Sequence, residues 1–143
     1  MKILSVDLGL VRTGIAISDI GELLASPVGV LKEVDKEKLA DKILNICNEK
    51  KVGKIVLGLP KNMDGTEGES AKRSREFKET LERITNIEVV LVDERGTTIT
   101  AHNYLNMSDT RGKKRKNIID SVAATIILQN YLDSKKSNKE PIY

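Results

Sequence analysis

The chain has 143 residues, 24 Lys and Arg against 21 Asp and Glu for a net charge of +3, one cysteine and no tryptophan. A single domain of this length buries about two thirds of the unfolded chain's surface, so neither a disulfide framework nor a structural metal is needed, and the lone Cys47 suits a reducing compartment. No apolar run approaches the roughly 20 residues of a membrane-spanning helix and no signal-like segment precedes the first apolar run, so a soluble, cytoplasmic protein without a membrane partner is expected.

Lys2-Ile3-Leu4-Ser5-Val6 is a short apolar, β-branched run that ends on Asp7 and predicts a strand. Residues 8–11 bend the chain and Thr13 to Ser18 returns, which predicts a hairpin with Gly9 supplying backbone freedom at the bend. A third strand is expected over Leu23 to Leu31, with Pro27 marking an edge. Residues 35–50 switch to helical period, with Leu39, Ile43, Leu44, Ile46 and Cys47 on one broad face. Lys54 to Leu59 is strand-like and stopped by Pro60. Residues 61–66 read as loop, 68–84 as a helix with Ala71, Phe77, Leu81 and Ile84 inward, and Ile87 to Val92 as a strand. A short helix over Thr98 to Asn106, capped by Thr97, and a last helix over Asn117 to Leu132 complete the chain.

The order β-β-β-α-β-α-β-α-α predicts the α/β class: a mixed sheet with helices on both faces, the two later strands forming a parallel half buried on both sides. Residues 1–133 read as one domain and 134–143 as a polar, basic tail expected to be flexible.

Acid stands where burial would otherwise exclude it. Asp7 follows one apolar strand and Asp93-Glu94 another, and in a parallel sheet the carboxyl ends of adjacent strands share the edge where α/β proteins bind ligands. Asp120 lies between Ile119 and Val122 in the last helix, in what the pattern predicts to be its first turn, a place the helix dipole favours for negative charge. Carboxylates gathered at one edge repel unless a cation sits among them. Oxygen-only ligation without a Cys or His cluster suits Mg²⁺ or Mn²⁺ rather than Zn²⁺, and such a centre supports phosphodiester hydrolysis. On the residues alone, Asp93 and Glu94 remain alternatives.

Arg12 and Arg95 adjoin candidate acids, either as phosphate grips or as partners that orient Asp7 and Asp93. Asn62 lies beyond a strand's carboxyl end, where it can line the site, whereas Asp64-Gly65 is first of all a turn signal. His102 has no second His or Cys nearby and reads as a surface residue. Residues 111–116, Arg-Gly-Lys-Lys-Arg-Lys, hold five cations in six positions. As a loop they would attract phosphates through Lys113, Lys114, Arg115 and Lys116 and make binding salt-dependent. With three tyrosines, one phenylalanine and no tryptophan, a stacking platform for single strands is not expected.

These blocks resemble the YqgF family of pre-ribosomal-RNA nucleases, also described as Holliday-junction-resolvase-like, within the ribonuclease H-like superfamily. The resemblance is carried by Val6-Asp7-Leu8-Gly9 with Arg12 and Gly14-Ile15-Ala16, by Gly58-Leu59-Pro60-Lys61-Asn62-Met63-Asp64-Gly65-Thr66, by Asp93-Glu94-Arg95 with Thr97-Thr98, and by Lys114-Arg115-Lys116 before Ile119-Asp120-Ser121-Val122-Ala123-Ala124. It spans residues 2 to about 132, departing at Gly96, where the family usually has a larger apolar residue. It implies a ribonuclease H-like mixed five-stranded sheet of order 3-2-1-4-5 with strand 2 antiparallel. It also implies Asp7, Glu94 and Asp120 as catalytic metal ligands, Glu94 being favoured over Asp93, and a role in processing the 5′ end of pre-16S ribosomal RNA.

The leading expectation is therefore a Mg²⁺- or Mn²⁺-dependent nuclease acting on structured RNA, a monomer or weak homodimer that can associate with the ribosome. Two alternatives stand beside it: a resolvase of branched four-way DNA, which demands a dimer, and a non-catalytic nucleic-acid-binding module. The need for two lobes and the absence of a G-x-x-x-x-G-K-[ST] loop argue against a nucleotide phosphotransferase of the actin and sugar-kinase kind.

Overall fold

The computed structural model describes the backbone of residues 1–94 and 112–139 and the side chains of 1–94 and 121–135. In chain order it contains β1 (Lys2–Asp7), β2 (Arg12–Ser18), β3 (Ala25–Lys32), α1 (Lys36–Lys50), β4 (Val52–Leu59), α2 (Glu69–Ile84), β5 (Glu88–Asp93) and α3 (Gly112–Lys139). The helix expected over 98–106 lies outside the described residues.

The five strands form one sheet of order β3-β2-β1-β4-β5. β2 is antiparallel to both β1 and β3, while β1–β4 and β4–β5 are parallel. Apolar alternation sends Leu4, Val6, Ile15, Ile55 and Leu57 to one face, where α1 and α2 cover them with Leu39, Ile43, Cys47, Phe77 and Leu81. Ile3, Ala16 and Val56 point to the other face, beneath Ala124, Ile127, Leu128 and Leu132 of α3. Burying each large aliphatic or aromatic side chain contributes about 1.5–3 kcal/mol, so both layers are needed to hold the sheet.

Four differences from the expected elements have physical causes. β3 begins at Ala25 rather than Leu23, because the Asp19 carboxylate takes the Leu23 and Leu24 amides at 2.8 and 2.9 Å and withdraws them from the ladder. β5 is an edge strand, and only Val89 within it is fully buried, so the parallel half is enclosed on both sides at β4 but not at β5. The last helix starts at Gly112, five residues before Asn117. The basic run 112–116 is thus helical rather than loop, as the good helix propensity of Lys and Arg allows, and the first turn holds no acid. Asp120 is the ninth residue of α3, beyond the first turn where the dipole acts. At its other end α3 runs to Lys139, so the backbone of 134–139, read as tail, continues the helix.

Several contacts fix α3 against the sheet. The Ser5 hydroxyl donates to the Ala124 carbonyl at 2.7 Å, the Gln129 side chain accepts the Ala25 amide at 2.9 Å and donates to the Leu23 carbonyl at 3.1 Å, and Lys54 Nζ donates to the Tyr131 hydroxyl at 3.2 Å. Tyr131 meets the early part of β4, whereas Ile127 meets Gly58 near its end. The helix therefore runs antiparallel to β4, and its N-terminal half leads toward the carboxyl edge of the sheet.

Candidate active site

The carboxyl edge is where the sequence places its acids. Asp7 ends β1, opposite Gly14 of β2, and Val6 pairs with Leu57, which sets Asp7 level with Gly58 on β4. Across β4, Gly58 pairs with Val92 and Leu59 with Asp93; the Glu94 amide then donates to the Leu59 carbonyl at 3.3 Å, carrying the ladder one residue past β5. Strand alternation turns Asp7, Gly58 and Glu94 toward the face covered by α3.

Glu94 reaches Asp7 across the intervening strand, and a hydrogen bond joins the two carboxyl groups. Burial, then the Asp7 charge and that hydrogen bond, and last the charge of Asp93, push the Glu94 carboxyl up to about 8. Glu94 Oε2 is buried without a hydrogen-bond partner among the described residues. A buried oxygen left unsatisfied in this way is costly. Asp93 is exposed at the end of β5 and adds negative charge to the pair.

This chemistry fits a hard divalent cation. Two carboxyls drawn together in a partly buried place, one with an orphaned oxygen, offer only oxygen donors, the kind of ligand such a cation takes. Asp120 belongs to the α3 turn just before that of Ala124, on the half of the helix leading to the same edge; its side chain lies outside the described residues, as do those of Lys113, Lys114, Arg115 and Lys116. Arg95 lies outside the described residues altogether. Among the described residues no group of three or more His, Cys, Asp or Glu gathers.

Arg12 opens β2 opposite Lys32, and its Nε is buried with no hydrogen-bond partner among the described residues. The turn beside it is pinned from outside the sheet. Lys36 Nζ donates to the Gly9 and Leu10 carbonyls at 2.9 and 3.2 Å, and a Cβ at Gly9 would overlap the Arg12 carbonyl oxygen. Asn62, in contrast, is committed to its own loop. Its Nδ2 donates to Thr66 Oγ1 at 2.8 Å, and Thr66 in turn donates its amide and hydroxyl to Asp64 at 2.9 and 2.7 Å. The turn reading of Asp64-Gly65 describes this loop, with Gly65 at φ 90°.

Sequence reasoning passed over Lys36 and Gly58. Lys36 carries no motif that sets it apart from the other lysines. Gly58 sat inside a recognised block, but only the strand register shows what its missing side chain makes room for.

A family model described as RuvX, Holliday junction resolvase, matches residues 1–134. The chain belongs to this family. Relatives named "Putative pre-16S rRNA nuclease" include one from Endomicrobium trichonymphae, 47% identical over 133 residues and covering 92% of this chain and 95% of the relative. Another, from Thermoanaerobacter pseudethanolicus, is 41% identical over 138 residues, covering 96% and 99%. Among solved structures, the fold is similar to T. thermophilus RuvC in complex with a Holliday junction substrate, with a TM-score of 0.61 and 11% identity over 99% of both chains. It is also similar to the fowlpox virus resolvase in complex with Holliday junction DNA, with a TM-score of 0.54 and 15% identity over 94% and 99%. At these identities the likeness is one of fold: a ribonuclease H-like mixed sheet of order 3-2-1-4-5.

Proposed function

We propose that this RuvX-family chain is a divalent-cation-dependent nuclease that hydrolyses phosphodiester bonds in precursor 16S ribosomal RNA. The observation that carries the reading is the Asp7–Glu94 contact across Gly58, with its orphaned Glu94 oxygen. The substrate assignment is supported by relatives that bear the pre-16S rRNA nuclease name at 41–47% identity over nearly their whole length.

Asp7 and Glu94, joined by Asp120, would hold Mg²⁺ or Mn²⁺. Bound there, the cation supplies Lewis acidity toward a water nucleophile and the departing oxygen. The chain's own groups do the rest. Arg12, with a buried donor unspent, grips a phosphate beside the acids. The four cations at 113–116 stand at the start of α3, where the helix dipole disfavours positive charge; a phosphate backbone seated there offsets that repulsion, and counterion release makes the binding salt-sensitive. Arg95 takes the same grip from beyond β5. Asn62, bonded within its loop, orders the rim beyond β4.

The test is cleavage of precursor 16S RNA, unstructured RNA and four-way-junction DNA in Mg²⁺, Mn²⁺ or EDTA, comparing wild type with Asp7→Asn. Cation-dependent cutting of the precursor RNA, lost in the folded variant, is expected. Preferred cutting of the junction would transfer the assignment to the resolvase activity that the family is described by, and binding without any cutting would leave a non-catalytic module.

A further inference from the structure

Asp7 and Glu94 come from strands that are not neighbours. β4 lies between them, and at about 4.8 Å per strand their lines stand roughly 10 Å apart. The Asp side chain is short, so most of the gap is crossed by Glu94, whose carboxyl lies directly over Gly58. A Cβ at that position would overlap Glu94 Oε2 and stand 3.1 Å from both Glu94 Cδ and Ile127 Cδ1 of α3.

We infer that Gly58 is a positioning residue for the acid pair: the side chain it lacks is the passage through which Glu94 reaches Asp7. Backbone conformation does not explain the glycine, since the described glycines at positive φ are Gly29 and Gly65. Strand propensity does not explain it either, because glycine weakens a strand interior unless something must approach closely. Space is the remaining reason. The obstructed atoms are the free end of a flexible side chain, so a methyl group at 58 is accommodated by swinging the carboxyl aside while the backbone stays. The inference rests on the reading of Asp7 and Glu94 as the reactive pair and adds the residue that brings them together.

The test uses the full chain with Gly58→Ala, Glu94→Asp and the double variant, together with Gly58→Ala in a Glu94→Ala background. Gly58→Ala is expected to unfold cooperatively like wild type yet lose on the order of 100-fold in cation-dependent cleavage, the scale of an ångström-sized misplacement. Glu94→Asp, one methylene shorter, cleaves more slowly by itself, and adding Gly58→Ala to it costs far less than the same change costs wild type. A second readout needs no activity: in EDTA, Gly58→Ala shifts Tm by different amounts with and without the Glu94 side chain. Wild-type cleavage by Gly58→Ala, or equal Tm shifts in the two backgrounds, overturns the inference. Failure of the wild-type chain to cleave would remove the nuclease reading, while the Tm comparison would still decide the role of Gly58.

Discussion

The hydroxyl of Ser5, fully buried in β1, donates a 2.7 Å hydrogen bond to the carbonyl of Ala124, 119 positions away in α3. It joins the strand that ends on Asp7 to the helix that carries Asp120. Ser5→Ala removes this donor, and about 1 kcal/mol of stability should go with it, read as a fall in Tm of roughly 2–4 °C for a domain of this size. Cleavage should fall more than the loss of folded protein accounts for, because α3 loses its anchor nearest the acids. A variant with unchanged Tm and rate would show that the helix is held elsewhere.

Asp7→Asn should make the cation-free protein more stable while abolishing its activity. In EDTA, at a pH above the raised Glu94 value of about 8, both carboxyls are ionised and confined beside each other, and removing one charge relieves that repulsion, as is common where a site trades stability for function. Thermal unfolding should show Tm higher by a few degrees. A Tm at or below that of wild type would mean that the Asp7 carboxyl stabilises the fold as it stands.

Far from the site, Glu22 binds Lys135 at 2.8 Å and the Met1 amino group at 3.1 Å, and these bonds pull its carboxyl down to about 2. With the folded value lowered, the stabilisation is complete above the ordinary glutamate value of about 4.5 and disappears as pH falls toward 2. Glu22→Gln should therefore cost about 1 kcal/mol at pH 7, and its stability should converge on that of wild type in acid. Parallel pH–stability curves for the two proteins would contradict this.

Replacing Lys113, Lys114, Arg115 and Lys116 together by glutamine should leave the fold intact and weaken binding of RNA. The plot of log affinity against log salt should flatten by as much as about 0.7–0.9 for each phosphate that the variant no longer neutralises. The check is a salt titration of binding by wild type and variant, in which an unchanged slope would place the phosphate-binding groups elsewhere.

The frame of the molecule was open to reading because its signals are local. Apolar runs ending at Asp7, Leu59 and Val92 marked three strands, the two later ones as a parallel half, and Pro27 marked an edge, which β3 occupies. What stayed hidden depends on register. Whether Asp93 or Glu94 turns toward α3 is decided by where β5 stops, and the pairing of Leu59 with Asp93 places that stop one residue later than the apolar run suggests. The start of α3 was missed because a run of cations has no apolar period to read, although Lys and Arg are good helix formers and no proline interrupts them. Gly58 was seen as part of a block, but its purpose exists only once three strands are aligned.

Among the described residues, every partner for Ile3, Ala16 and Val56 from outside the sheet comes from α3, which follows all the strands in chain order. Four strands and two helices have already emerged behind Asp7 while that face has no cover, so the growing chain carries an adhesive sheet surface through most of its synthesis. Completion of α3 closes the surface and brings the turn of Asp120 to the edge in one event. Covering the sheet and placing the Asp120 turn thus happen together, and a protein truncated before residue 124 is expected to lose the cover that Ala124, Ile127, Leu128 and Leu132 supply.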